Sequence, residues 1–392
     1  MWFLPMISSL PPPAIRTICA LLVFVLLILM GQWIHLGFVT LWNEKRTRAG
    51  AYYKLSAEAR RRFRRQLQAH RAMLMPILWL LARSMRIDLK KLVFQFQGIP
   101  LPKGTCTPAK VQEAVAYKPS HEDIFVVAPM RCGTTWMQHL VYQVVMRGTG
   151  DLADRGISLF AISAWLESTR GIPVNEAPIV GLGRPSRIIK THLPAELLPL
   201  DPCAKYVYVV RHPVSCFASC VDFLRQNLGP FQLGLQELEL WFCSDEAMWW
   251  GTWPQHVAGW WKRAQEGSNI LVISFEEMKL DLLGVIYRLA GFLEVESLST
   301  REVAEIARKC SFEYMRRYQQ SFEMVPPHFL QNDHAFLRSG ALHRYQALPE
   351  ATRRRIADWC RQEVASRSFP WQQWYPDMGD RPLPAQTSLE AG

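Results

Sequence analysis

The segment Arg131-Cys132-Gly133-Thr134-Thr135-Trp136 holds the residue types of an anion site. It follows an apolar run, Ile124-Phe125-Val126-Val127, and a helical pattern begins at Trp136. A strand that passes through a tight glycine turn into a helix N-terminus gathers unpaired backbone N–H groups at the positive end of the helix dipole. Arg131 adds a cation to that turn, and Thr134 and Thr135 add two hydroxyls. The loop is not of Walker A type, because G-x-x-x-x-G-K-[ST] cannot be written onto it. An ordinary strand-to-helix turn would need neither the arginine nor the paired threonines. A second candidate is His192, at the end of an apolar run and followed by Leu193-Pro194. Imidazole titrates near neutral pH and suits a general base, although a structural histidine fits the same position. Lys190, two residues earlier on the same strand face, could stabilise charge on a transferring group; a solvated lysine is its plain alternative.

These residues need a frame that brings several strand ends together. Ile124–Val127, Arg187–Ile189, Tyr206–Val210 and Ile270–Ile273 are short, apolar and rich in β-branched residues. Each reads as a strand buried on both faces, and helical patterns follow most of them. That order predicts an α/β fold, a parallel sheet flanked by helices. Pockets in such folds are walled by variable loops, here the stretches 158–178 and 229–250. After Trp374 the chain turns rich in Pro and small polar residues, so residues 375–392 read as a disordered tail.

The N-terminal part has a different texture. From Ile15 to Trp42 the chain is nearly all apolar, long enough for one tilted transmembrane helix, with Trp33 and Trp42 as interfacial anchors. Arg16 is the lone basic residue at the N-terminal end of the span, whereas Lys45, Arg46, Arg48, Lys54, Arg60, Arg61, Arg62, Arg64 and Arg65 follow it. The positive-inside rule puts the second flank, and the rest of the chain, in the cytoplasm. A cleaved signal peptide is disfavoured by the thin basic n-region and by the lack of an A-x-A site. Residues 1–50 are thus a tail and anchor, and 51–97 a basic amphipathic segment. Its run Met73–Leu81 is too short to span and suits either an anionic lipid interface or packing on the domain. The 392 residues carry a net charge of +11 and nine cysteines without a C-x-x-C pair. This favours anionic partners and a reducing compartment over a disulfide scaffold or a structural zinc site. The excess charge sits beside the span rather than along an aromatic-studded groove, which argues against nucleic acid.

Gly133-Thr134-Thr135-Trp136 after a strand resembles the 5′-phosphosulfate loop of the sulfotransferases that use 3′-phosphoadenosine 5′-phosphosulfate (PAPS), particularly those of cytosolic type. The resemblance continues in order through Gly98–Pro102, Trp165-Leu166-Glu167, the segment Arg187–Pro194 with its Lys-Thr-His-Leu-Pro, Tyr206–Pro213 with Ser219, and Phe336–Gly340. It implies a P-loop-like sulfotransferase domain over residues 98–374, with PAPS as donor and no metal. In that family His192 would be the general base and Lys190 a charge stabiliser. The loop from Arg131 through Cys132 to Trp136 would hold the 5′-phosphosulfate. Arg211 and Ser219 would hold the 3′-phosphate, and Arg338, Ser339 and Gly340 would close over it. Trp136, Phe275 and Phe312, with Ser311 nearby, would line the adenine slot.

This sequence departs from the family at several points. Arg131 stands where the cytosolic enzymes usually carry a lysine; a guanidinium keeps the charge but cannot donate a proton. Phe275 stands for a tyrosine, His343 for a glycine and Tyr345 for a tryptophan. The expected function is therefore a membrane-anchored sulfotransferase acting on a hydroxyl or amine of a small or lipid-like acceptor. A Golgi-type glycan sulfotransferase and a non-catalytic nucleotide-binding membrane protein are the alternatives. With Cys132 inside the loop, a thiol reagent is expected to block nucleotide binding.

Overall fold

The computed structural model describes residues 12–47, 51–323, 328, 330–331 and 344–378. Arg338, Ser339, Gly340 and His343 lie outside the described residues.

Two strands, β1 (Val93–Phe96) and β2 (Ile99–Pro102), form an antiparallel hairpin. Gln97 and Gly98 turn it with φ of 49° and 81°, the double left-handed turn that suits the twist of a two-residue hairpin. The expected boundary at residue 98 falls in the turn of this hairpin, between its two paired strands.

The main sheet contains β3 (Asp123–Val127), β4 (Ala164–Trp165), β5 (Arg187–Thr191), β6 (Lys205–Val210) and β7 (Ile270–Ser274), in the order β4-β5-β3-β6-β7. Every pairing is parallel. All of β3 is buried and so is nearly all of β6, which explains why their sequences are continuously apolar rather than alternating. The chain leaves β3 toward β4 and β5, then crosses back to β6 and β7. With right-handed crossovers this puts helices on both faces and makes β3 the switch point, where a crevice opens beyond the carboxyl ends of the strands.

Ten helices frame the site and its N-terminal extension: α1 (Pro12–Thr47), α2 (Ala57–Ser84), α3 (Thr134–Val145), α4 (Pro213–Asn227), α5 (Trp253–Glu266), α6 (Phe275–Leu280), α7 (Leu282–Phe292), α8 (Thr300–Lys309), α9 (Phe312–Arg317) and α10 (Glu350–Ala365). One layer groups α3 with α7 and α8; the other groups α4 and α5 with α10.

The stretch Pro13–Trp42 of α1 is long and apolar enough to cross a membrane. Its C-terminal half lies antiparallel on α2. Gln32 Nε2 donates to the Met73 carbonyl at 3.2 Å, His35 meets His70 at 2.9 Å, and Trp42 stacks on Phe63 at 4.9 Å. Side chains from Leu21 to Ile28 are exposed.

The α2 helix packs on the domain along one face and leaves apolar side chains exposed. Phe63, Leu67, Leu74, Ile77 and Leu78 are buried, while Met73, Trp79 and Leu80 remain exposed on the other face. The arginine cluster divides in the same way. Arg60 is buried and donates to the carbonyls of Leu55 and Gly156, and Arg64 pairs with Glu323. Arg61, Arg62 and Arg65 face outward.

At the C-terminus the expected tail starts too early. Tyr375 and Met378 are buried, and Tyr375 packs edge-on against His212. An aromatic ring of that size contributes too much apolar burial to leave ordered structure at Trp374.

Asp123 anchors the amino end of the sheet, fully buried. It accepts from Arg187 Nε at 2.7 Å, the Tyr117 hydroxyl at 2.7 Å and the Ser120 N–H at 2.8 Å. Asp123→Ala strips all three and leaves Arg187 without its carboxylate. Stability should fall by about 3 kcal/mol, read as a lower chemical-denaturation midpoint; an unchanged midpoint would show that the cluster does not hold β3 to β5.

Candidate active site at the carboxyl edge of the sheet

Four strand ends deliver the expected residues to one crevice: β3 runs into the loop 128–133, β5 ends beside His192, β6 beside Arg211 and the edge strand β7 beside Phe275. The loop is locally strained. Arg131 has φ of 68°, a left-handed conformation rare for a residue with a side chain, and Gly133 has φ of 97°. Glycine is required at 133 on two counts, since a Cβ there would also sit 2.7 Å from the Phe275 ring. Thr134 and Thr135 open α3, where the first amides have no intrahelical acceptor.

Arg131, Ser219 and Arg211 are joined before any ligand arrives. Arg131 Nε donates to Ser219 Oγ at 3.2 Å, and Arg211 Nη1 donates to the Arg131 carbonyl at 3.1 Å. The Arg211 guanidinium lies over the Phe275 ring at 4.3 Å, and its Nε is buried without a hydrogen-bond partner. A buried cationic N–H left unmatched is costly and fits an anion as its acceptor.

A neighbouring aromatic cluster has the shape of a slot. Trp136 meets Phe275 edge to face at 5.7 Å, and the Lys279 ammonium lies 5.8 Å from the Trp136 ring and 5.7 Å from that of Phe312. Trp136 Nε1 donates to the Cys310 carbonyl at 2.8 Å, fixing the ring next to Ser311 and Phe312. The Ser311 hydroxyl itself caps α9 by accepting from the Tyr314 N–H.

Cys132 contributes packing rather than a reachable thiol. Its side chain is fully buried, with Sγ 3.7 Å from Cys216 Sγ, and burial pushes its thiol well above the ordinary value. The expectation that a thiol reagent reaches it is corrected on that ground.

His192 is 2% exposed and lines a cavity of about 240 Å³. Its Nδ1 lies 2.8 Å from the Ala128 carbonyl, so Nδ1 carries the proton and Nε2 keeps the lone pair. Burial, followed by the Lys190 charge, holds its pKa well below the usual histidine value. The His192 carbonyl accepts from His256 Nε2 at 3.0 Å, and His256 Nδ1 is met by the Tyr208 hydroxyl at 3.0 Å. That chain fixes the His256 tautomer and the backbone that carries His192.

Lys190 is fully buried, with its ammonium 3.4 Å from the Trp165 ring centroid. Burial pulls its pKa down.

Trp165 and Arg170 from the first variable stretch, and Trp249 and Trp250 from the second, line the same cavity, with Met130, Arg131 and Phe223 between them. Trp250 meets His192 at a tilt, ring centroids 4.9 Å apart, from a left-handed backbone, φ 63°, and its backbone N–H is held by the Pro100 carbonyl of β2. His256 and Lys279 fall in segments that share the family resemblance, Gly251–Trp261 and Phe275–Lys279, but the sequence assigns them no role because each acts through a tertiary contact. Trp250 has no sequence signal beyond the aromatic density of 249–261. No group of three or more His, Cys, Asp or Glu residues that could hold a metal occurs among the described residues.

Residues 121–368 match the family model described as "Sulfotransferase domain". A guinea pig 3-alpha-hydroxysteroid sulfotransferase (Cavia porcellus) is 26% identical over 253 residues, 63% of this chain and 85% of the relative. The luciferin sulfotransferase of Photinus pyralis is 27% identical over 286 residues, 66% of this chain and 76% of the relative. Among solved structures, a mouse sulfotransferase complexed with PAP aligns with a TM-score of 0.53 at 22% identity, covering 71% of this chain and 95% of that one. At that identity the superposition speaks for the fold. The family match spans more than half of the chain, and with it the crevice, the anion loop and the cavity, so the chain belongs to the sulfotransferase domain family and is a sulfotransferase.

Proposed function

We propose that the chain moves a sulfuryl group from PAPS to a hydroxyl or amine of a small or lipid-like acceptor, with His192 as general base. One observation carries this reading: a neutral imidazole, its tautomer set by the Ala128 carbonyl, lines the cavity that opens beside the β3–α3 anion loop. The names of the hydroxysteroid and luciferin relatives support a small acceptor, and the PAP in the mouse structure's title supports the donor.

The residues present fit the nucleotide. The amides of Gly133 to Trp136 and the hydroxyls of Thr134 and Thr135 would hold the 5′-phosphosulfate. Arg211, through its unmatched Nε, and Ser219 would hold the 3′-phosphate, together with the loop of Arg338, Ser339 and Gly340. Trp136, Phe275 and Phe312 would take the adenine, with the Ser311 backbone alongside. When bound, PAPS supplies an activated sulfuryl group on a phosphate leaving group.

The chain's own groups do the rest. His192 Nε2 accepts the acceptor's proton. The Lys190 ammonium and the Arg131 guanidinium neutralise charge that grows around the reacting centre. Arg131 acts only electrostatically, because a guanidinium keeps its proton. The aromatic walls Trp165, Trp249, Trp250 and Phe223 exclude water and hold a flat apolar body.

The pH dependence follows from the direction of the histidine shift. A general base works when neutral, and the depressed His192 pKa keeps it neutral throughout the physiological range. Activity should therefore persist below pH 6.5 and fall only as pH drops through the depressed value.

Transfer of ³⁵S from labelled PAPS into total membrane lipid and into small phenols tests the reading directly. His192→Ala should reduce turnover roughly 100-fold or more while binding of desulfated nucleotide stays intact. A variant as active as wild type would remove His192 from the chemistry. Wild-type protein that binds the nucleotide but never transfers label would mark a non-catalytic binder.

We further propose that α1 spans a membrane with the catalytic domain in the cytoplasm, supported by the basic flank after Trp42 and by the exposed apolar face of α1. The exposed Met73, Trp79 and Leu80 of α2, with Arg61, Arg62 and Arg65, would rest on anionic lipid. Cys203 is exposed on the domain. In sealed cells a membrane-impermeant maleimide should label it only after permeabilisation; labelling of intact cells would place the domain outside the cytoplasm, and protection inside sealed organelle vesicles would support the Golgi alternative.

A further inference from the structure

Glu167 follows β4 by two residues and has no place in the chemistry described above, yet its carboxyl group is fully buried within reach of two groups that do. The β4–β5 pairing sets Trp165 opposite Lys190, which brings Glu167 level with His192 at the strand end. Its Oε1 accepts from the His192 backbone N–H at 2.9 Å and from the Trp165 indole N–H at 2.8 Å, while Oε2 has no hydrogen-bond partner. Lys190 sits in the same pocket with its Nζ likewise without one, pressed on the face of that Trp165 ring.

An unmatched carboxylate oxygen and an unmatched ammonium, both buried, are each expensive alone. Their opposite charges act on each other across the pocket without a direct salt bridge, and each offsets part of the other's desolvation. The single carboxylate thus holds the backbone of the base and the ring beneath the lysine, and its field reaches the lysine's charge.

Resting on the sulfotransferase reading, we infer that Glu167 is a positioning residue for the transfer: it fixes the strand end that carries His192 and favours the ammonium form of Lys190 over Trp165.

Every charged or titratable group that faces Lys190 bears on the argument. Glu167 and Cys106 favour its charge, whereas Arg131 and burial oppose it; His192 in turn is pushed down by the Lys190 charge. Glu167 is the group within that set able to sustain a cation, because the Cys106 thiol is itself pushed well up by burial and stays neutral. Without the carboxylate Lys190 loses its proton at lower pH, while His192, short of a neighbouring anion, is no easier to protonate. The alkaline limb of the pH–rate profile then moves inward and the acid limb does not. A change that merely loosened the fold would lower the rate without moving the alkaline limb.

The test is the pH dependence of kcat for PAPS-dependent transfer by the full chain, comparing wild type, Glu167→Gln and Glu167→Asp, with desulfated-nucleotide binding followed in parallel. In Glu167→Gln the alkaline limb should fall by about one pH unit while the acid limb is not raised, a roughly tenfold loss of rate beyond the alkaline limb. Glu167→Asp should restore most of the width. If Glu167→Gln fails to bind nucleotide, Lys190→Met reads the lysine's part directly: the alkaline limb should vanish and the acid limb rise. An alkaline limb that stays in place in either folded variant would overturn the inference, whereas wild type without transfer would overturn the proposed function instead.

Discussion

The hydrogen bond from His192 Nδ1 to the Ala128 carbonyl ties together the two halves of the site. Ala128 is the first residue after β3 and His192 the first after β5, so the bond spans adjacent strand ends and depends on their parallel register. It commits one ring nitrogen to donation and leaves the other as an acceptor, which no solvent-exposed histidine would do reliably. It also links the base to the loop that receives the donor, three residues before Arg131. The sheet, with its switch point at β3, is therefore less a scaffold beneath the chemistry than the device that sets the distance between proton acceptor and anion loop.

Burial gives this arrangement its electrical character. His192, Lys190 and Glu167 are all withdrawn from water, and the cavity walls above them are tryptophan and phenylalanine. In such surroundings a few charges act strongly on one another, and each must be matched locally. The hairpin β1–β2 takes part from outside the sheet, because the Pro100 carbonyl holds the strained Trp250 backbone that sets an aromatic ring on His192.

Much of this was legible in the sequence because the fold writes it locally. The apolar strands, the glycine turn, the paired threonines and the Lys-Thr-His-Leu-Pro run each occupy a few consecutive residues, and they met in one crevice once the strands were set parallel. What escaped acts across long sequence separations. Trp250 meets His192 from 58 positions away in the chain, and His256 holds the backbone of that same residue through its carbonyl. No periodicity or spacing encodes such pairs. The edges of the domain escaped for a related reason: the pairing of Val93 with Pro102, and the burial of Tyr375 on His212, are tertiary facts that a shift in composition does not reveal. The arginine cluster of α2 showed its charge in the sequence, but which arginines turn inward depends on the acceptors at Leu55, Gly156 and Glu323.

His212, next to Arg211, lies between two tyrosines that arrive from the far end of the chain, stacked on Tyr345 at 5.3 Å and met edge-on by Tyr375 at 5.3 Å. Tyr375 also packs on Trp253, whose indole N–H donates to the Arg211 carbonyl at 3.0 Å. The last helical turns therefore work as a keystone for the nucleotide side of the crevice. A protein ending at Trp374, where the composition turns polar, would be short by eighteen residues of apparent tail. It would nonetheless open a hole against His212 and Trp253, the two residues that flank and hold the backbone of the arginine proposed to grip the 3′-phosphate.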